Sequence, residues 1–156
     1  MTSAELFYLS PFIISIAISS GVFLYAWRRR ETQGSGTFAW YFASQTIWTL
    51  AYLSELFSPN AGAKIFWDSM EWLASALAIV AFPAFAIQYT KREIKNPRSI
   101  FMLSLVIPIV FMLLVFSDTI LHLVRINPHL DNNFIFAEVI YRYTPIAIDT
   151  LSTAFL

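Results

Sequence analysis

Three acidic residues with close spacing are the first candidates for chemistry in this chain. Glu55 lies near the end of one apolar segment, and Asp68 and Glu71 lie near the start of the next. At positions i and i+3, Asp68 and Glu71 share one face of a helix, which Ser75 continues one turn later. A carboxylate that faces lipid is costly, so this face should point into a helix bundle or a wet cavity.

Other polar residues are predicted on the same side of the molecule, and two interpretations of them remain open. The first is structural: Lys64 with Asp68 and Glu138 with Arg142 form ion pairs at i,i+4. The second is an outward-facing polar pocket that binds a ligand or senses protons, with His122 as the group that titrates near neutrality. The candidate ligand or sensing residues are Glu55, Trp67, Asp68, Glu71, His122, Glu138 and Arg142.

No catalytic or cofactor motif accompanies these residues. The histidines His122 and His129 with Glu55 and Glu71 match no metal-ligand spacing, so neither a metal nor another cofactor is predicted. The sequence has no cysteine and no phosphate-binding loop, and no Ser-His-Asp order or His-Glu-x-x-His motif. We therefore do not expect this chain to be an enzyme.

The elements that position these residues are five apolar segments. The chain of 156 residues is 58% hydrophobic and 13% charged, whereas soluble domains are about one-quarter charged. A water-soluble fold of this length cannot bury so much apolar surface, so lipid must cover part of it. We predict one all-α domain over residues 1–156, a polytopic integral membrane bundle of five transmembrane helices at about 7–27, 38–57, 65–89, 100–117 and 134–156.

Basic residues predict the orientation of this bundle. Three arginines follow the first segment and four basic residues lie between the third and fourth, whereas Lys64 and Arg125 stand alone in the other two connections. Because basic loops stay in the cytoplasm, we predict a multi-pass protein of the inner (plasma) membrane with its N-terminus outside and its C-terminus cytoplasmic. The net charge is zero, which argues against a nucleic-acid partner.

Several short stretches then suggest a family. In order, they are YAWRRR at 25–30, WTLAYLSEL at 48–56, KIFW at 64–67, EWL at 71–73, QYT at 88–90 and TILHL at 119–123. Their order and spacing resemble the N-terminal seven-transmembrane (7TM) region of sensor histidine kinases. The resemblance makes Glu55, Trp67, Glu71 and His122 family-pattern positions. It also implies that the chain, with five predicted helices instead of seven, is a fragment or a shortened relative.

The resemblance implies a function as well. Such a region is a membrane-embedded signal-input module that relays a stimulus to a cytoplasmic output domain, where any kinase activity would reside. The expected partners are the lipid bilayer, the cytoplasmic signalling output domain or a partner protein, and a second copy in a homodimer. The alternatives are a small-molecule or ion transporter subunit, or a structural membrane anchor or assembly subunit. The almost wholly apolar fourth segment argues against a transport path.

Overall fold

The fold is a helical bundle with a two-stranded hairpin at one end. The computed structural model describes residues 3–90, 97–121, 124–131, 136, 138–145 and 148. Within these residues, the helices are α1 (Ser3–Arg28), α2 (Ser35–Phe57), α3 (Ala61–Tyr89) and α4 (Pro97–Leu121), and the strands are β1 (Arg125–Asp131) and β2 (Glu138–Tyr143).

Two tight turns make α1, α2 and α3 successive antiparallel neighbours. Before α2, Gly34 has a φ of 80°, a left-handed conformation that glycine adopts without the steric cost of a Cβ atom. Before α3, the side chain of Asn60 accepts a hydrogen bond of 2.8 Å from the amide of Ala63 and so caps the helix. The bundle therefore has two ends. We call the end where α2 ends, α3 begins and α4 ends the hairpin end.

Small residues let these helices approach closely. Ala39 and Ala51 of α2 and Ala74 and Ala81 of α3 are all buried. Between α1 and α2, Thr46 donates a hydrogen bond of 2.9 Å to Ser19. Small and hydroxyl-bearing residues are the usual contacts between helices in a membrane, where large apolar side chains gain little from burial.

Large apolar side chains instead cover the outer faces of the bundle. Phe7 is 84% exposed and Leu113 is 67% exposed, which suits a lipid environment. In the described part of the chain, α1 and α3 are long and apolar enough to cross a membrane. The four helices predicted first are thus present, but five transmembrane helices are not confirmed.

The fifth predicted helix requires a correction. Residues Glu138–Tyr143 form strand β2, which pairs antiparallel with β1 in a register that places Asp131 opposite Glu138. The sequence EVIYRY is rich in β-branched and aromatic residues, which favour strands. The predicted i,i+4 helical pair of Glu138 and Arg142 is therefore wrong, because four residues of a strand span about 13 Å. Residues 149–156 lie outside the described part.

Candidate functional site

A buried arginine joins three elements at the hairpin end. Arg125, the first residue of β1, has a side chain that is only 2% exposed. Its Nε donates a hydrogen bond of 3.0 Å to Asp68 of α3, and its Nη2 donates to the same carboxylate oxygen. Its Nη1 donates at 3.2 Å to Asp118 of α4. Ser69 completes the contacts, since its Oγ lies 3.1 Å from Nη2.

Asp118 also fixes the backbone that leads into β1. Its Oδ1 accepts hydrogen bonds from the amides of Val124 and Arg125, at 2.6 and 3.1 Å. Its Oδ2 is the oxygen that pairs with the guanidinium. One carboxylate therefore holds both the backbone and the side chain at the start of the hairpin.

Aromatic side chains surround the ion pairs. The hydroxyl of Tyr141 donates a hydrogen bond of 2.9 Å to Asp68, and its ring lies 5.3 Å from the guanidinium carbon of Arg125. Tyr143 lies next to Tyr141, with 3.3 Å between their hydroxyl oxygens. The ring of Trp72 contacts Tyr143 edge-on at 6.1 Å, so strand β2 also packs against α3.

The electrostatics of this cluster favour a charged arginine and neutral tyrosines. Burial alone would lower the pKa of Arg125, but the Asp68 carboxylate outweighs it and raises that pKa above its usual value. Burial, followed by the charge of Asp68, raises the pKa of Tyr141 well above its usual range. When both aspartates are ionised, the two carboxylates and one guanidinium leave one residual negative charge.

Two further acids lie nearby in the bundle. The carboxyl group of Glu71 is within hydrogen-bonding reach of Glu55 and also feels the charge of Asp68. Its Oε1 is buried and has no hydrogen-bond partner in the described residues. Lys64 is only 1% exposed, and its Nζ donates hydrogen bonds to the carbonyls of Glu55 and Leu56 at 2.7 and 3.4 Å. Lys64 therefore satisfies carbonyls that the end of α2 leaves open.

The hairpin contacts all four helices. We call residues 124–131, 136 and 138–143 the hairpin segment. Arg125 and Tyr141 contact α3, Arg125 also contacts α4, and Phe136 reaches α1 and α2. The ring centroid of Phe136 lies 5.8 Å from that of Tyr8 and 5.6 Å from that of Phe57. Movement of this segment would therefore disturb contacts with all four helices at this end of the bundle.

A cavity of about 320 Å³ lies between α3, α4 and β1, beside the ion pairs. Its polar end is formed by Ser69, Asp118 and Arg125. Its apolar walls include Ile65, Phe66, Val115 and Phe116. A space of this size with apolar walls and a few converging polar groups is typical of small-molecule sites.

The structure brings together part of the predicted candidate set. Glu55, Asp68 and Glu71 lie at the hairpin end. Trp67, the neighbour of Asp68 in α3, is half-buried, and its ring centroid lies 5.3 Å from that of Phe66. His122 lies outside the described residues. The backbones of Glu138 and Arg142 lie in β2, and their side chains are not among the parts that the structure describes.

The central residue of the site was missed by sequence reasoning. Arg125 entered only as a count for the orientation, and Asp118 and Tyr141 did not enter at all. A usable signal was present, because Arg125 is a lone cation in a connection predicted to lie on the same side as Glu55, Asp68 and Glu71. Asp68 forms an ion pair with this residue.

Comparison with known proteins identifies a family that the chain matches. Residues 11–155 match the family described as the N-terminal 7TM region of histidine kinase. That range contains the hairpin segment and nearly all of the four helices. No curated protein and no solved structure matches the chain.

The chain belongs to this family. The resemblance noted in the sequence is thus confirmed, and it places the chain among the membrane sensors of two-component signalling. A 7TM region of this family is a non-catalytic sensor input module. The apolar helices α1 and α3 agree with a membrane setting.

Proposed function

We propose that this chain receives a signal at its hairpin segment and relays it through α3 to a cytoplasmic output domain or partner protein. The observation that carries the proposal is the single guanidinium that ties β1 to both α3 and α4. A sensor needs an element with two discrete arrangements whose balance a stimulus can shift. A hairpin whose two buried ion pairs share one guanidinium meets that need.

Helix α3 is the element suited to carry the change. Asp68 lies near its start, and Gln88 lies near its end. The carbonyl of Gln88 accepts a hydrogen bond of 2.9 Å from Gln33, and its side-chain oxygen accepts one of 3.2 Å from Thr37. The two sites are 20 residues apart in one helix, or about 30 Å at 1.5 Å per residue. A shift of α3 at Asp68 would therefore strain the contacts of Gln88.

We place the hairpin end outside the cell and the Gln88 end in the cytoplasm, in a multi-pass protein of the inner membrane. The cluster Arg28–Arg30 supports this orientation, because it begins at the last residue of α1, at the end opposite the hairpin, and basic loops stay in the cytoplasm. The cytoplasmic C-terminus predicted from the sequence depended on a fifth spanning helix, and strand β2 lies within that segment. Homodimerisation would place two such output domains side by side.

A chimera tests this function. The output domain of a histidine kinase that drives a transcriptional reporter is inserted between α3 and α4, and Asp68→Asn and Arg125→Gln are introduced singly. Because each variant weakens the contact between the hairpin and α3, we expect the unstimulated output to change by about fivefold or more, the lower limit of typical allosteric coupling. Glu31→Gln, an exposed residue at the opposite end, is the matched control.

The readout must separate signalling from expression. Membrane levels of each chimera are measured by immunoblot, and output is compared at equal levels. If both variants match the parent chimera at equal levels, the hairpin is not the input element and the proposal is wrong.

A further inference from the structure

The cavity beside Arg125 has the features of a small-ligand site. It is bounded by α3, α4 and β1, and its volume of about 320 Å³ lies within the range of known ligand pockets. Three polar side chains at its end, Ser69, Asp118 and Arg125, are each more than nine-tenths buried. Burying polar groups beside a cavity is costly unless they are satisfied, and a bound ligand adds partners.

The charges at this end favour a cation. Arg125 already pairs with Asp68 and Asp118, so it offers little to a further anion. Asp68 does not line the cavity, but its pairing with Arg125 offsets part of the guanidinium charge that Asp118 faces. In the described residues, Oδ2 of Asp118 accepts one hydrogen bond, from Arg125, although a carboxylate oxygen has room for two. A donor in the cavity would therefore find an open acceptor.

The remaining walls favour an apolar group on the same ligand. Ile65 and Val115 supply aliphatic surface, and Phe66 and Phe116 are aromatic. The two rings are 51% and 45% exposed, so their faces are available. Aromatic faces attract ammonium groups as well as hydrocarbon. An inorganic cation would use only the polar end and leave these walls bare.

We propose that this cavity binds a small organic amine, with its ammonium group on Asp118 and its apolar part between Phe66 and Phe116. The inference rests on the proposed function in one respect, since the amine would be the stimulus of the same sensor. The ammonium shares Oδ2 of Asp118 with Arg125 and so weakens the contact between β1 and α4. Amine binding and release of the hairpin are then linked.

Calorimetric titration of the full chain in lipid nanodiscs tests the site directly. The probe is benzylamine at neutral pH, and the controls are benzyl alcohol and benzoate, which keep the ring but carry a neutral hydroxyl or an anionic carboxylate in place of the ammonium. We expect saturable binding of benzylamine with a Kd at least about tenfold lower than that of either control, a difference of about 1.4 kcal/mol. Equal binding of benzylamine and benzyl alcohol, or no saturable binding of benzylamine, would overturn the proposal.

Two variants locate the binding. Asp118→Asn keeps an oxygen for the amides of Val124 and Arg125 but removes the charge, so we expect benzylamine affinity to fall about tenfold or more. Phe66→Leu removes a ring from a largely exposed position, and we expect a several-fold loss for benzylamine with a folded bundle. Glu31→Gln removes a charge far from the cavity and should bind normally. Unchanged benzylamine affinity in Phe66→Leu, or in an Asp118→Asn variant with parental circular dichroism, would contradict the proposed site.

The outcomes separate this inference from the proposed function. If benzylamine does not bind but Asp68→Asn and Arg125→Gln shift the chimera output, the sensor function stands and the amine inference fails. If benzylamine binds as expected but neither the amine nor those variants changes the output, the site is real and the sensor function fails.

Discussion

Arg125 concentrates much of the energetics of the hairpin end in one side chain. A buried ion pair contributes little compared with an apolar replacement of both partners, but loss of one partner leaves a buried charge without compensation. Here the guanidinium serves two carboxylates and a serine hydroxyl at once. Substitution of Arg125 should therefore loosen the hairpin more than substitution of any exposed arginine.

Arg125→Gln is expected to lower the free energy of opening the hairpin by about 3–5 kcal/mol, the usual cost of breaking a buried pair from one side. Amide hydrogen exchange of strand β1, followed by mass spectrometry in nanodiscs, measures this opening. Arg28→Gln, at an exposed position, is the control and should change it by less than about 0.5 kcal/mol. Equal protection in the two variants would show that the ion pairs do not hold the hairpin.

Tyr141 should ionise later than an ordinary tyrosine. Burial and the Asp68 carboxylate raise its pKa above the usual 10.0, so the folded state binds this proton more tightly than the unfolded state. The contribution of Tyr141 to the free energy of unfolding is therefore complete below pH 10 and declines as the pH rises beyond 10. In an ultraviolet titration near pH 10, folded Tyr141→Phe and the folded parent protein should show the same tyrosinate absorbance. In denaturant, the variant should show less absorbance than the parent by the amount that one tyrosine contributes. A loss in the folded protein at that pH would contradict the assigned environment.

At the scale of elements, the four helices were predictable because each is a local apolar pattern with its own ends. The hairpin was not predictable in this way, because the residues of β2 were assigned to a fifth helix that began at residue 134. Strand β2 depends on β1 as a partner, and only the strand-favouring composition of EVIYRY signalled it locally. The site shows the same limit: Asp68 and Glu71 follow from helical spacing, whereas the Asp68–Arg125 pair joins residues 57 apart.

Strand register gives a direct test of the hairpin. The chain has no cysteine, so pairs can be introduced without background. His129 and Ile140 face each other across the strands, at a Cα separation expected to permit a disulfide. His129→Cys with Ile140→Cys should therefore oxidise readily, measured by thiol quantitation after mild oxidation. Ile126→Cys with Ile140→Cys is out of register and should remain reduced. If neither pair oxidises, or both do equally, the paired register is wrong.

At the scale of the whole molecule, the bundle is organised as two ends joined by long helices. The hairpin segment closes one end by touching all four helices. The contacts of Gln33 and Thr37 with Gln88 hold the other. Since the outer faces are apolar, lipid is the medium in which the two ends are kept apart.

The two ends should therefore lie on opposite sides of the membrane. Helix α2 has 23 residues, or about 35 Å at 1.5 Å per residue, which exceeds the roughly 30 Å of a bilayer's hydrocarbon core. Pro59 follows its end and Glu31 precedes its start, and both are exposed. In intact cells, a membrane-impermeant maleimide should label Pro59→Cys but not Glu31→Cys, because the arginines beside Glu31 hold that end in the cytoplasm. Both should react after permeabilisation, and the cysteine-free parent should not react at all. Labelling of Glu31→Cys alone in intact cells would invert the proposed orientation, and equal labelling of both would refute a bundle that spans the membrane.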